Sequence, residues 1–202
     1  MSATILLIIV TCVVSFIAFQ NPQLQSRLML YPVVMRSPLQ AYRLITAGFV
    51  HADTMHLAFN MISFYFFGRF LEAKIGSELL VMLFLSGILV ANLPSYYKQM
   101  SNPNYAALGA SGGVAAIIFA TIYLEPWEEI RLFFALPIPA LLFAVAYLIY
   151  SYVMSKKPEQ HIGHDAHFWG SVYGFLFMIL IDQTHGASFL HQLMNPRFSW
   201  FT

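Results

Sequence analysis

The sequence predicts an all-α integral membrane protein, a bundle of six transmembrane helices forming one domain over residues 1–202. Three observations lead there. The chain is 59% hydrophobic and only 9% charged, against roughly 25% charged in soluble domains. Its mean hydropathy is +0.68, so it carries more apolar surface than one soluble core of this size can hide, and lipid must solvate the rest. The apolar stretches also approach the roughly 20 residues that a helix needs to cross the hydrocarbon core.

Reading between charges and chain breakers gives the six spans as Thr4–Phe19, Met55–Leu71, Leu79–Pro94, Tyr105–Leu124, Leu132–Met154 and His167–Ile181. No basic residue precedes the first, and Phe19-Gln20-Asn21-Pro22 is a poor cleavage site, so a retained span is expected rather than a signal peptide. Arg69 lies within the second and can carry its guanidinium out along its stem. Pro137 and Pro139 predict a broken or kinked start to the fifth. Residues 20–54 are rich in Pro, Tyr, Leu and Met and carry Arg27, Arg36 and Arg43, which suits the membrane interface. The tail, residues 183–202, with Phe189, Leu190, Leu193, Phe198, Trp200 and Phe201, is expected there too.

Charge excludes some functions and leaves topology open. The net charge is +1 and no long basic run exists, so a nucleic-acid surface is not expected. Flanking cations divide into Arg69, Lys74, Arg131 and Arg197 on one side and Arg27, Arg36, Arg43, Lys98, Lys156 and Lys157 on the other, a split that does not choose an orientation. The single Cys12 cannot form an internal disulfide.

Polar groups inside spans are costly and mark functional sites by default. Three clusters qualify. The second span opens with His51, Asp53, His56 and Asn60; the fourth holds Gly109, Ser111, Gly112 and Gly113; the sixth opens with Asp165, His167, Gly170 and Gly174. His56 and Asn60, four apart, share a helical face, as do His167, Gly170 and Gly174. Each cluster alone fits a glycine-mediated helix crossing or an interhelical hydrogen bond. Together they describe a nucleophile with small neighbours, a histidine able to take its proton, and donors for a developing oxyanion. Asp165, two residues before His167, would face elsewhere on a helix, so a Ser111–His167 dyad is expected without it. His161 and His164 are expected in a solvated loop.

In this order on these spans, the motifs resemble those of the rhomboid intramembrane serine proteases. Gly109, Ser111 and Gly112 match the family's GxSG pattern, and Ala166, His167 and Gly170 match its AHxxG. The resemblance implies Ser111 as nucleophile and His167 as base. His56 and Asn60 match the second-span HxxxN, implied oxyanion-hole donors, with His51 a further upstream histidine. Gly170 and Gly174 match the GxxxG that brings the sixth helix against the fourth. Arg43 matches an Arg of the long first loop, and Glu72 a Glu near the end of the second span. Two positions depart from the pattern. Tyr42 replaces the usual Trp before Arg43, and Ala115 replaces an aromatic that packs on the histidine, so Tyr173 or Trp169 would have to help hold that ring.

The resemblance implies an endopeptidase that cuts transmembrane segments of other membrane proteins through an acyl-enzyme, with no cofactor and no metal. It also implies a multi-pass protein of a bacterial cell membrane, with both termini cytoplasmic and the site opening to the other side. Its partners would be transmembrane protein substrates and the lipid bilayer, with no nucleic acid. Three other functions fit the sequence less well. An inactive relative that binds or escorts membrane helices would have lost Ser111 or His167, and both are present. A metalloprotease would show HExxH, which is absent, although a haem between His56 and His167 is conceivable. A transporter would show matching halves, which are also absent.

Overall fold

The computed structural model describes residues 2–132, 136–156 and 163–196. His161, Lys157, Arg197, Phe198, Trp200 and Phe201 therefore lie outside the described residues. Helix α1 spans Ala3–Gln20, starting where the Ser2 side chain accepts the Ile5 N–H and ending at Asn21. Asn21 then caps α2, Pro22–Leu28, whose first turn tolerates Pro22 because that position needs no N–H. Two 3-10 turns, Pro32–Val34 and Pro38–Gln40, lead to the short α3, Arg43–Thr46, and a further turn at Ala47–Phe49. Asp53 caps α4, Thr54–Ile75, and Gly76 at φ 84° ends it. Helix α5, Ser77–Lys98, continues through Pro94, where the third span was expected to stop.

The sixth expected span appears as α8, His164–Ile181, one turn longer at its start. The fourth and fifth differ more. Helix α6 runs only from Ser111 to Leu124, whereas the sequence suggested a helix from Tyr105. The missing residues form an extended connection: Leu30 and Ala107 exchange N–H···O bonds at 2.9 Å in both directions. Gly109 adopts φ 120°, a conformation that side-chain-bearing residues rarely take, and this breaks the helix before Ser111.

The expected fifth span begins with an antiparallel hairpin, so the all-α expectation is corrected. Strand β1, Glu129–Leu132, pairs with β2, Leu136–Pro139, with Ile130 opposite Ile138. Pro137 and Pro139 have no N–H to donate, and a two-stranded ribbon accommodates them because each strand has one unpaired edge. The Ala140 N–H bonds back to Glu128 O at 2.8 Å, and α7 follows as Ala140–Ser155. By length and composition α1 and α5 can cross a membrane; α6 and α7 are apolar but shorter.

Helix α6 forms the centre, with ten of its fourteen residues buried. Small residues allow close packing around it. A Cβ on Gly87 of α5 would lie 2.9 Å from Ala116 Cβ, and one on Gly113 would lie 2.9 Å from Phe84 O. Phe64 of α4 stacks on Phe84 of α5 at 4.5 Å between ring centres. Helix α1 packs on α4 and α5, and α7 lies outside α8. The loop after α1 is organised by Arg43, which is 7% exposed. Its Nη1 donates to Ser26 O at 2.7 Å and Met29 O at 3.0 Å, and its Nε to Gln40 Oε1 at 2.7 Å. A short amphipathic helix, α9, Ala187–Met194, follows α8.

Candidate active site

Ser111 is the first residue of α6, and that position follows from the chain before it. The Gly109 N–H donates to Ala47 O at 2.9 Å, and the Ala110 N–H donates to His51 Nε2 at 3.2 Å. The first helical bond of α6 runs from the Val114 N–H to Ala110 O, so the N–H groups of Ser111, Gly112 and Gly113 precede the ladder. Such N–H groups and the positive end of the helix dipole favour negative charge beside the hydroxyl.

His51 is fully buried, and its tautomer follows from its neighbours. The Ser15 hydroxyl of α1 donates to Phe49 O at 2.9 Å, leaving its oxygen to accept from His51 Nδ1, also at 2.9 Å. Nε2 is then bare and accepts from Ala110. Burial, assisted by the neighbouring His56 and opposed by Asp53, lowers the His51 pKa to about 3. Ser15 carries no motif. Its only sequence signal is a hydroxyl within an apolar span.

The His56 and His51 rings meet edge to face at 5.0 Å. A Cβ at position 109 would lie 2.5 Å from His56 Cε1 and 2.8 Å from its Nε2, so glycine is what lets this ring lie over the turn before Ser111. Asp53 Oδ1 accepts the His56 N–H at 2.8 Å and fixes the start of that helix. Asn60, 6% exposed, donates one amide hydrogen to His56 O at 2.9 Å. That hydrogen is turned to its own helix, leaving one for a ligand.

His167 reaches the site because α8 packs on α6 backbone to backbone. A Cβ on Gly170 would lie 2.2 Å from Gly112 O, and one on Gly174 would lie 2.1 Å from Ala116 O. A Cβ at 112 would also sit 3.5 Å from Ala166 O, so the residues next to Ser111 and His167 face each other. The two side chains form no hydrogen bond in this structure. Catalytic hydrogen bonds are often long without substrate. The ring stacks on Tyr147 of α7, with 6.2 Å between centres and 25° between planes.

Neither aromatic suggested by the sequence supports His167. Tyr173 donates to Ser86 Oγ at 2.8 Å, and Trp169 is exposed. His164, expected in a solvated loop, is instead in the first turn of α8 and 3% exposed. Its ring meets that of His167 at 5.9 Å and 83°, and among the described residues neither of its nitrogens has a hydrogen-bond partner. Asp165 pairs with Lys98 of α5 at 3.1 Å. Among the described residues, no three His, Cys, Asp or Glu side chains converge as a metal site.

Comparison with known proteins places the chain in a family. The Rhomboid domain family matches residues 38–183. The chain belongs to the rhomboid family. The relatives it resembles include "RHOMBOID-like protein 12, mitochondrial" of Arabidopsis thaliana, 30% identical over 145 residues, 64% of this chain and 43% of that protein. Rhomboid protease GlpG of Haemophilus influenzae is 30% identical over 95 residues, 47% of this chain and 45% of its own. The human presenilin-associated rhomboid-like protein, mitochondrial, is 23% identical over 201 residues, 94% of this chain and 50% of its own. The chain thus spans about half the length of these relatives. A rhomboid domain is a membrane domain, but relatives named as mitochondrial stand beside bacterial ones and do not single out a bacterial cell membrane.

Proposed function

We propose that this rhomboid domain is an intramembrane serine endopeptidase with Ser111 as nucleophile and His167 as general base, built on six membrane-spanning helices. The carrying observation is the backbone contact between α6 and α8 at Gly112 and Gly170, which sets the turn bearing His167 beside the turn bearing Ser111. A helix of fourteen residues is about 21 Å long, short of the roughly 30 Å hydrocarbon core. With its other end at one interface, α6 would begin below the opposite surface, so Ser111 would work at membrane depth.

His167 takes the Ser111 proton as the hydroxyl oxygen bonds to the peptide carbonyl carbon of a transmembrane substrate. The negative charge that forms on the carbonyl oxygen is met by the Ser111 N–H and by donors from His56 and Asn60. The imidazolium then protonates the leaving amine as the C–N bond breaks, giving an acyl-enzyme. Water, deprotonated by the same imidazole, hydrolyses the ester and restores Ser111. Arg43 and Glu72 act at a distance, by ordering the first loop and the start of α1.

A second reading has a specific observation behind it: Ser111 and His167 share no hydrogen bond, and Ala115 offers no ring to the base. On that reading the domain binds membrane helices without cutting them. The test is cleavage of a model transmembrane substrate in liposomes by wild type, Ser111→Ala and His167→Ala. Cutting within or beside the span by wild type, lost in both variants, supports the protease. Binding without cutting across several substrates favours the escort.

A further inference from the structure

The position four residues beyond Ser111 is Ala115, 2% exposed, whose single methyl cannot form a wall for an imidazole. Across the bundle, the ring of Tyr147 lies nearly parallel to that of His167, 6.2 Å from centre to centre. Tyr147 is itself fixed. Phe143, one turn earlier on α7, stacks on it at 5.5 Å and 23°, and Phe119 of α6 contacts it at 6.0 Å. The edge of His164 touches His167 at 5.9 Å from its own helix. The terminal torsion of histidine is broad and roughly two-fold, so a ring without walls swings freely. A general base must present one nitrogen to the hydroxyl within about 2.6–3.2 Å.

From this we propose that Tyr147 is a positioning residue, the wall that holds the His167 ring in the orientation needed to take the proton of Ser111. The proposal rests on the protease reading and adds α7 to the machinery. Helix α7 packs mainly on α8 and buries only Ala140, Ala144 and Ser151. The orientation of the base therefore depends on the seating of the most peripheral of the long helices. The ring, rather than the phenol hydroxyl, does the holding, so phenylalanine should serve in its place.

The test compares Tyr147→Leu, Tyr147→Phe and, as a control for α7 packing, Tyr152→Leu, which removes a ring facing Phe168. Two readouts are taken on the full chain in detergent or liposomes. The first is substrate cleavage resolved into kcat and KM, with the rate at which a fluorophosphonate labels Ser111. Since a positioned base contributes about 10²–10⁴-fold, Tyr147→Leu should lose about tenfold or more in kcat and labelling rate. Its KM should hold, and Tyr147→Phe and Tyr152→Leu should match wild type. The second is the NMR shift of the His167 ring protons in histidine-labelled protein, assigned by their loss in His167→Asn. The ring-current displacement should persist in Tyr147→Phe and vanish in Tyr147→Leu.

An unchanged kcat in Tyr147→Leu, an effect carried by KM, or an equal loss in Tyr152→Leu overturns the proposal. If wild type neither cuts nor labels, the protease reading fails, and the NMR arm still decides the contact. An unchanged ring shift in Tyr147→Leu then overturns it.

Discussion

His51 Nε2 accepts the N–H of Ala110, the residue that immediately precedes Ser111, at 3.2 Å. The other nitrogen of the same ring is held by Ser15, which in turn bonds to Phe49 O. A relay of hydrogen bonds therefore runs from the first helix to the turn that presents Ser111. It gives His51 a structural part, holding the turn before Ser111 in place.

The relay can be broken at either end. His51→Ala leaves the Ala110 N–H without a partner and the Ser15 oxygen without a donor, and an unmade buried bond costs about 1–3 kcal/mol. Ser15→Ala removes the bonds to Phe49 O and His51 Nδ1 and should cost about 1–3 kcal/mol. Because both act on one chain of bonds, the double variant should fall short of the sum by about 0.5 kcal/mol or more. A double-mutant cycle of unfolding in mixed micelles measures this, and strict additivity would show that the two bonds are independent.

The same ring makes stability depend on pH. An unfolded histidine titrates near 6.5, whereas burial holds folded His51 at about 3. Below pH 6.5 the unfolded chain binds a proton that the folded chain refuses, so stability present above that value declines as pH falls toward 3. One such proton gives a slope of about 1.4 kcal/mol per pH unit. Unfolding measured between pH 7 and 4 should show at least that slope in wild type, and His51→Gln should flatten it by one proton. An identical slope in the variant would assign the effect to other groups.

Much of this was legible in the sequence because its signals are local. His56 and Asn60 at i, i+4, and His167, Gly170 and Gly174 at i, i+3, i+7, are single-helix patterns, and the structure keeps them on single helices. What was missed depends on partners distant in sequence. The break before Ser111 comes from Ala107 pairing with Leu30 and Gly109 bonding to Ala47, and apolar periodicity carries no trace of either. The hairpin before α7 takes the place of a broken or kinked helix start, because two prolines signal the loss of helix without saying what replaces it. Tyr147 was hidden for a related reason. It is one of several aromatics in an apolar helix, and only packing sets it apart from Tyr150 or Tyr152.

The contact of α8 with α6 should tolerate no side chain. At Gly170 and Gly174 a new Cβ would fall 2.2 and 2.1 Å from backbone oxygens, which cannot rotate away. Gly170→Ala and Gly174→Ala must therefore push the helices apart, unpacking the core around α6 and separating the two proposed catalytic turns. Each should cost more than about 3 kcal/mol, in the range of severe core overpacking. Gly163→Ala is the contrasting case: among the described residues its Cβ would meet only Ala166 Cβ, at 3.8 Å, and its φ of −73° suits alanine. Its stability should stay within about 0.5 kcal/mol of wild type. Equal behaviour of the three in thermal aggregation and unfolding assays would deny the close crossing.

Glu72 should matter more than the surface ion pair near it. Its carboxylate accepts from the Ala3 N–H at 2.7 Å, the Thr4 N–H at 3.2 Å, and the Thr4 and Ser77 hydroxyls at 2.7 Å each. These bonds tie the start of α1 to the end of α4, and a negative charge at a helix N-terminus is also favoured by the helix dipole. Hydrogen bonds to a charged acceptor are worth about 1.5–3 kcal/mol, so Glu72→Ala should lose at least that much. Glu72→Gln should recover only part, since its amide keeps one acceptor oxygen for the N–H of Ala3 or Thr4 and turns its NH2 toward the other. Lys74 and Glu125 also pair, at 3.2 Å, but both side chains are more than a third exposed. Lys74→Met should therefore change stability by less than about 0.5 kcal/mol. Unfolding free energies of the three variants would decide it, and a Glu72→Gln as stable as wild type would mean that neutral hydrogen bonding alone holds α1 to α4.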